Sequence, residues 1–242
     1  MSYIFREHIK QSLAVIAFLI TLTACTSESY DAGDGPNSYL TADLVLLHTS
    51  QDKSVRSALL DDGTTLQFSN PFAQDWLTRP DSVYRALLYY DKTVATSDAA
   101  APNPTATSIV RARSVRPVSV LRPVEAEDME TLRTDPVGFE SLWLSKNKSY
   151  VNLSLLLKSG KTEADDALHA LGIVSHGTTT GADRRRTLHL TLYHDQGGVP
   201  AYYTVQQYVS IPTQLLEEAD TVELTLNTYN GKKVVKVAVS NL

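Results

Sequence analysis

The residues able to perform metal or covalent chemistry are few, and their spacing does not bring them together. The chain has 242 residues, with six histidines and a single cysteine. His189 and His194 are five residues apart in one predicted strand, and an odd separation places two strand side chains on opposite faces. His169 and His176 are seven residues apart, which is also an odd separation, so they too would lie on opposite faces of a strand. We therefore predict no metal site, although a cross-strand pair of His169 with His189 stays open.

Sequence motifs of common enzymes are also missing. The chain contains no Gly-X-Ser-X-Gly turn, no phosphate-binding glycine loop, no His-Glu-X-X-His and no Asp-rich calcium loop. The carboxylate pairs Asp61-Asp62 and Asp165-Asp166 fall at predicted turns, where such side chains commonly bond the backbone. We therefore expect no catalytic residue and no cofactor, and a binding protein rather than an enzyme. A hydrolase whose site is assembled from distant residues is the less favoured alternative.

Basic and aromatic side chains gather on two predicted strands in the first half of the chain. Arg111 and Arg113 share one face of a strand predicted at 109–121. Tyr84 and Tyr89 lie on the preceding predicted strand, and OB-type barrels bind sugars or nucleotides with such faces. The candidate ligand face is therefore Arg111, Arg113, Tyr84 and Tyr89. A solvated arginine face balanced by nearby acids is the alternative.

The N-terminus has the features of a secretory signal. Arg6 and Lys10 precede a mostly apolar run that ends in Leu22-Thr23-Ala24-Cys25. The run is too short to cross a membrane, because a spanning helix needs about 20 apolar residues. Its end resembles a bacterial lipobox, so we predict a signal peptide at 1–24 and a lipid with palmitate-type acyl chains on Cys25.

The composition after the lipobox indicates where the protein acts. Residues 25–38 are rich in Ser, Gly and Asp, which predicts a flexible acidic tether between the lipid and the folded body. We expect the lipid on Cys25 to hold the protein on the outer membrane, on the periplasmic or the cell-surface side. The chain has 22 Lys+Arg against 27 Asp+Glu, a net charge of −5, so nucleic acid is not an expected partner. Another envelope protein or a glycan is expected instead.

The remainder of the sequence predicts an all-β fold. Short runs with a period of two alternate with turn residues, which is typical of antiparallel sheets. Five such runs within 39–124 predict a small OB-type β-barrel domain, since closure removes exposed strand edges. Seven more within 125–242 predict an antiparallel β-sandwich domain that follows an acidic linker at 125–140.

Several short motifs follow one another in a set order along the mature chain. They are Leu59-Leu60-Asp61-Asp62-Gly63-Thr64-Thr65-Leu66, Asp135-Pro136-Val137 leading to Leu142-Trp143, Tyr150-Val151-Asn152-Leu153, Leu188-His189-Leu190-Thr191-Leu192-Tyr193-His194-Asp195 and Ser210-Ile211-Pro212. Together with the lipobox and the acidic tether, this order resembles that of the NigD-like lipoproteins.

The resemblance covers nearly the whole mature chain. It implies an N-terminal OB-type domain, a C-terminal β-sandwich domain and an outer-envelope lipoprotein of Gram-negative anaerobes. The family has no established reaction, so the resemblance implies no catalytic residues. Its name is linked to bacteriocin-associated loci, which makes a bacteriocin-associated accessory or immunity protein the alternative to a binding module.

Overall fold

The computed structural model describes residues 40–91, 108–161, 168–216 and 219–240. The expected signal peptide, the tether and Cys25 lie outside the described residues. Within them the chain forms fourteen β-strands and two short 3-10 turns, Ala126–Asp128 and Thr213–Leu215. The predicted all-β class is confirmed. In this part of the chain, no helix has the length and apolar character needed to span a membrane.

The first five strands close into a barrel. They are β1 (Leu40–Thr49), β2 (Val55–Leu60), β3 (Thr65–Phe72), β4 (Val83–Asp91) and β5 (Ser108–Pro117). Around the barrel the order is β1-β2-β3-β5-β4, and β4 pairs back onto β1. The β3–β5 pair is parallel and the other pairs are antiparallel. This is the five-stranded OB-type barrel that the sequence predicts.

Local sequence accounts for the barrel's hairpin and its core. The β2–β3 turn contains Gly63 at φ 89°, a conformation that glycine adopts without strain. The turn is closed by the backbone N–H of Leu60, which donates to the carbonyl of Thr64. Alternate residues of β1, such as Val45 and Leu47, point into the barrel and are fully buried. The apolar residues that recur at every second position in the sequence therefore fill the interior of the barrel.

The remaining nine strands form two further sheets. They are β6 (Ser119–Val120), β7 (Pro123–Glu125), β8 (Gly138–Leu144), β9 (Tyr150–Ser159), β10 (Ala170–Thr180), β11 (Arg186–Asp195), β12 (Tyr203–Pro212), β13 (Thr221–Thr228) and β14 (Gly231–Ala238). One sheet has the order β14-β13-β11-β10-β7 and the other β6-β12-β9-β8. They pack face to face around one apolar cluster, which includes Leu153, Leu155, Leu190, Ile211 and Leu224. The predicted β-sandwich is present.

The two sandwich sheets are mixed rather than purely antiparallel. The parallel pairs are β7 with β10, β6 with β12, and β11 with β13. Two of the three involve the short strands β6 and β7, which the chain forms as it leaves the barrel and crosses from one sheet to the other. The sandwich sheets thus begin at Ser119, a few residues ahead of the boundary expected at 124, and β8 begins inside the linker expected at 125–140.

The central strand β9 is buried on both of its faces. Leu153 and Leu155 face the sandwich core, while the alternate residues Asn152 and Ser154 are equally buried on the other side. That second face is covered because the barrel packs against it. A small apolar cluster of Leu44, Leu87 and Val118 lies at this junction, with Trp143 and Tyr208 packed against it.

Candidate functional site

A buried arginine joins the barrel to the sandwich. Arg85 of β4 donates from Nη1 and Nη2 to the two carboxylate oxygens of Asp61, at 2.6 and 2.7 Å. Its Nε donates to Ser210 Oγ at 3.1 Å and its Nη2 to Asn152 Oδ1 at 3.0 Å. The guanidinium also lies 4.4 Å from the ring centre of Tyr150. These five residues, the Arg85 cluster, use the planar fork of arginine on three partners at once.

The partners of Arg85 satisfy one another. Asn152 Nδ2 donates to Asp61 Oδ2 at 3.0 Å, and Ser210 Oγ donates to Asn152 Oδ1 at 2.7 Å. The Arg85 side chain is 1% exposed, so its charge depends on these contacts instead of on water. The sequence placed Asp61 at a solvated turn and missed this role. The signal that could have revealed it is a charged residue inside an otherwise apolar run, since Arg85 is the single charge within 83–90.

A cleft opens beside the Arg85 cluster, between the barrel and the four-stranded sheet. Its volume is about 540 Å³, within the range of small-ligand pockets. The barrel wall includes Asp43, Leu44, Asp62 and Leu87, and the sandwich wall includes Glu140, Trp143, Lys146, Gln206 and Tyr208. We call this the junction cleft.

The sandwich wall of the junction cleft combines a carboxylate with two aromatic rings. Glu140 Oε2 accepts hydrogen bonds from Ser154 Oγ, at 2.6 Å, and from Gln206 Nε2. These donors hold the pKa of Glu140 below its ordinary value, so it stays ionised into acidic solution. The rings of Trp143 and Tyr208 meet edge to face, with centres 6.3 Å apart. The sequence assigned both rings to the sandwich interior, but they lie on its outer face, where the barrel covers them.

The barrel wall adds two further carboxylates. Asp43 Oδ2 accepts from the buried hydroxyl of Tyr90 at 2.8 Å. Burial, then the hydrogen bond to Asp43 and the charge of that carboxylate, raises the pKa of Tyr90 above its ordinary value, so the phenol stays a donor. The backbone N–H of Thr64, then its hydroxyl, lowers the pKa of Asp62, and Lys146 acts in the same direction. Asp62 and Glu140 are therefore ionised acids of the cleft at neutral pH.

The structure divides the candidate ligand face that the sequence suggests. Arg111 is exposed on the outside of β5, and Arg113 pairs with Asp91 at 2.5 Å. Tyr89 also lies on the outside of the barrel, where the Arg116 guanidinium is 5.7 Å from its ring centre. Tyr84 packs against the barrel interior on the other side of β4, edge to face with the ring of Trp76. Arg111, Arg113 and Tyr89 thus share a surface that Tyr84 does not reach.

Two histidines meet inside the sandwich in a pairing that strand parity did not reveal. His194 Nδ1 bonds the carbonyl of Asp135 at 2.9 Å, and a carbonyl only accepts, so this nitrogen carries the hydrogen. His194 Nε2 then accepts from His169 Nδ1 at 2.9 Å, and the planes of the two rings are 20° apart. His169 Nε2 is left buried, with no hydrogen-bond partner in the described structure. Burial, then the neighbouring His194, lowers the pKa of His169.

A second chain of polar groups crosses the outer face of the five-stranded sheet. His189 Nε2 lies 2.7 Å from Thr179 Oγ1, and His189 Nδ1 lies 3.0 Å from Glu223 Oε1. Lys236, then His189, lowers the pKa of Glu223 by hydrogen bonding its carboxylate. The order of hydroxyl, imidazole and carboxylate is that of a catalytic triad, but these residues stand on strands away from the junction cleft. Cross-strand pairing accounts for the arrangement.

Side chains able to ligate a metal ion do not cluster among the described residues. Among them, no group of three or more His, Cys, Asp or Glu is arranged to hold a metal ion. The open cross-strand pair of His169 with His189 does not form, since His169 bonds His194 and His189 bonds Thr179. What the geometry offers is a binding cleft with carboxylates and aromatic rings.

The fold and the cleft define a class of protein: an OB-type barrel fixed to a β-sandwich, with a ligand-sized cleft at their junction. A family model described as the NigD-like C-terminal beta sandwich domain matches residues 120–239. The chain belongs to the NigD-like family. A search of curated proteins found no match.

Solved structures with the same architecture come from Bacteroides and Parabacteroides. A "NigD-like immunity protein" from Bacteroides caccae is 22% identical, with 81% of this chain and 91% of that chain covered and a TM-score of 0.58. A "Putative lipoprotein" from Bacteroides fragilis is 14% identical, with 84% and 99% covered and a TM-score of 0.60. A "Putative TOXIN related protein" from Parabacteroides distasonis is 19% identical, with 82% and 92% covered and a TM-score of 0.54. These likenesses show a shared fold, and none of the three names describes an enzyme.

Proposed function

We propose that this protein is a non-catalytic binding module of the bacterial envelope, anchored to the outer membrane through lipid on Cys25, and that its ligand enters the junction cleft. The observation that carries the proposal is the cleft itself, about 540 Å³ in volume and open beside the Arg85 cluster. Because Arg85 fixes the barrel to the sandwich, the two walls are held in place before a ligand arrives. Preorganisation of this kind favours binding.

A photocrosslinking amino acid in the cleft tests the proposal in intact cells. In one variant the photocrosslinking amino acid replaces Ser141, which is exposed on the sandwich wall of the cleft. In the matched control it replaces Asp183, which is exposed in the β10–β11 turn. We expect the Ser141 position alone to capture a discrete envelope component, and Trp143→Ala to reduce that capture. Equal capture at both positions, or none at Ser141, contradicts the proposal.

The outer barrel surface with Arg111, Arg113 and Tyr89 is a separate proposed site, for an anionic glycan. The support is the exposure of Arg111 beside a second arginine. Against it, Arg113 already pairs with Asp91, which reduces the charge that it offers to a ligand. Binding to a glycan array should fall when Arg111 and Arg113 are both changed to Glu, and unchanged binding rejects this surface.

A bacteriocin-associated accessory or immunity role is the second candidate function. The observation in its favour is the "NigD-like immunity protein" of Bacteroides caccae, which shares the fold over 91% of its own length. If the role is immunity, cells that lack this protein should become sensitive to a toxin encoded nearby, and the complementing gene should restore survival. Equal survival of deleted and complemented cells counts against it.

A further inference from the structure

We propose that the junction cleft takes an extended peptide segment of an envelope partner that carries a lysine or arginine side chain. The cationic group of that side chain lies beside Glu140 and against the rings of Trp143 and Tyr208. This inference rests on the proposed function, because it names the chemistry of the ligand that the cleft would bind. Three properties of the cleft support it: the charge, the aromatic wall and an open strand edge.

The charge of the junction cleft is negative after its internal pairs are counted. Asp61 is paired with Arg85, and Lys146 offsets Asp62. Two carboxylates, those of Asp43 and Glu140, then have hydrogen-bond donors but no cationic partner among the described residues. An anionic or apolar ligand would strip water from these carboxylates without compensation, whereas a cation replaces that water with an ion pair.

The aromatic wall favours the same kind of group. Trp143 and Tyr208 line the cleft together, and Glu140 is on the same strand as Trp143. A cation that contacts the face of a tryptophan or tyrosine ring is attracted by the ring's quadrupole, and more strongly when it is partly shielded from water. A ring pair beside a carboxylate therefore suits an ammonium or guanidinium on an aliphatic stem.

The open strand edge indicates that the cation is part of a peptide. β8 supplies Ser141, Trp143 and Leu144 to the cleft, and it is the last strand of its sheet. Between Ser141 and Leu144 it is hydrogen-bonded, among the described strands, on one side only, to β9, whereas Val137, just before β8, pairs with Thr228. The backbone N–H and C=O groups of an edge strand can pair with an added peptide strand, whose alternate side chains then reach neighbouring pockets.

Labelled synthetic peptides with the full-length protein in detergent test the inference. The probes are Ac-Thr-Val-Lys-Val-Thr-amide and the same peptide with Gln or Glu at the central position. Binding is followed by anisotropy of the label. Its location is followed by quenching of Trp143 fluorescence in a Trp76→Phe background, because the chain has two tryptophans. We expect the Lys peptide to bind in the cleft at least about tenfold more tightly than either analogue, as is typical of a charge-assisted contact.

Matched variants separate a specific contact from general charge. Glu140→Gln keeps the shape and an acceptor for Ser154, and it should weaken the Lys peptide by about tenfold. Glu130→Gln removes one charge at an exposed position elsewhere and should leave the affinity unchanged. Equal effects of the two variants overturn the assignment of Glu140.

The outcomes also distinguish this inference from the proposed function. If the Gln or Glu peptide, or a glucosamine oligosaccharide, quenches Trp143 as well as the Lys peptide does, the cationic-peptide inference is wrong and the cleft remains a binding site. The same holds if no peptide quenches Trp143 while the crosslinker at Ser141 still captures a partner. If the crosslinker also captures nothing, both proposals fail.

Discussion

Arg85 is a buried charge whose partners come from both halves of the body. Asp61 belongs to the barrel, whereas Asn152 and Ser210 belong to the sandwich. Every nitrogen of the guanidinium therefore has an acceptor, which is the condition under which a buried cation is tolerated. Removing the acceptors or the cation leaves the rest of the cluster buried and unpaired.

We predict that Arg85→Ala lowers the free energy of unfolding by about 3–5 kcal/mol, because it leaves the Asp61 carboxylate without its cation in a largely buried site. Urea denaturation monitored by circular dichroism measures the change. The control is Arg56→Ala: Arg56 and Asp52 form an exposed pair, with side chains 62% and 60% accessible. That change should lower stability by about 0–1 kcal/mol. Similar losses of stability in the two variants would show that the buried Arg85 pair contributes no more than an exposed ion pair.

His169 gives the protein a specific response to mild acid. Its folded-state pKa is lowered, by burial and then by His194, so the unfolded chain binds a proton more readily. The contribution to stability is complete above the ordinary histidine pKa of 6.5, falls as the pH drops below that value, and levels off below the folded pKa.

We predict that His169→Gln flattens the pH dependence of unfolding in this window. Urea midpoints measured at about pH 7.5 and about pH 5.5 should differ in the parent and converge in the variant. His176→Gln, at an exposed histidine within β10, should keep the parent's pH dependence. If the urea midpoint of His169→Gln changes with pH as much as that of the parent, His169 is not the source of the pH dependence.

The sequence revealed less of the candidate site than of the fold. Glu140 and Asp61 carry no local motif, because their partners come from distant strands, and only the assembled structure brings them together. Trp143 and Tyr208 were expected in the sandwich interior, since aromatic side chains usually pack inside. Period-two alternation cannot tell which face of a strand is the core when a second domain covers the other face.

At the scale of the elements, the strands were predictable because runs of alternating apolar and polar residues are bounded by turn residues. The β2–β3 hairpin follows from Asp62-Gly63, and the β13–β14 hairpin from Asn230-Gly231. The short strands β6 and β7 were not foreseen, because two or three residues hold no periodicity. Their positions are set by pairing with β12 and β10, which is tertiary information.

The β11–β12 turn provides a matched test of backbone crowding. Gly197 and Gly198 both have positive φ angles, 60° and 77°. A Cβ on Gly197 would lie 2.2 Å from the carbonyl oxygen of Leu168, whereas a Cβ on Gly198 would have nothing within 4 Å. The two positions therefore share the conformational strain and differ in the steric clash.

We predict that Gly198→Ala lowers the free energy of unfolding by about 1–2 kcal/mol, the usual penalty for a left-handed residue with a side chain. Gly197→Ala should lower it by at least about 1 kcal/mol more, because the Leu168 backbone must move. Thermal denaturation of the two variants measures the difference. Equal destabilisation would mean that the backbone at Leu168 moves aside without a cost in free energy.

At the scale of the whole molecule, three apolar clusters hold the described body together. The barrel and the sandwich each have their own core, and the third cluster joins them around Leu44, Leu87 and Val118. With the Arg85 cluster beside it, this junction combines apolar burial with directed hydrogen bonds. We expect the hydrogen bonds to fix the relative position of the barrel and the sandwich, because apolar contacts have no preferred direction.

The lipid anchor on Cys25 remains a prediction at this scale. Cys25→Ser should abolish incorporation of labelled palmitate and move the protein from the membrane fraction to the soluble fraction, because the chain has no second cysteine to take its place. Ser27→Ala, two residues away, is the control and should keep the label. Retention of label in Cys25→Ser would place the lipid elsewhere.

The Arg85 cluster also implies an order of assembly. Arg85 is 24 positions from Asp61 along the chain, but 67 from Asn152 and 125 from Ser210. Contacts between distant residues form slowly, because long loops must close first. The barrel can therefore be complete, with Arg85 and Asp61 already paired and hydrated, before β9 and β12 arrive. In that order of assembly, the charged pair would keep hydrated the barrel surface that the sandwich later covers, which would disfavour association between nascent barrels.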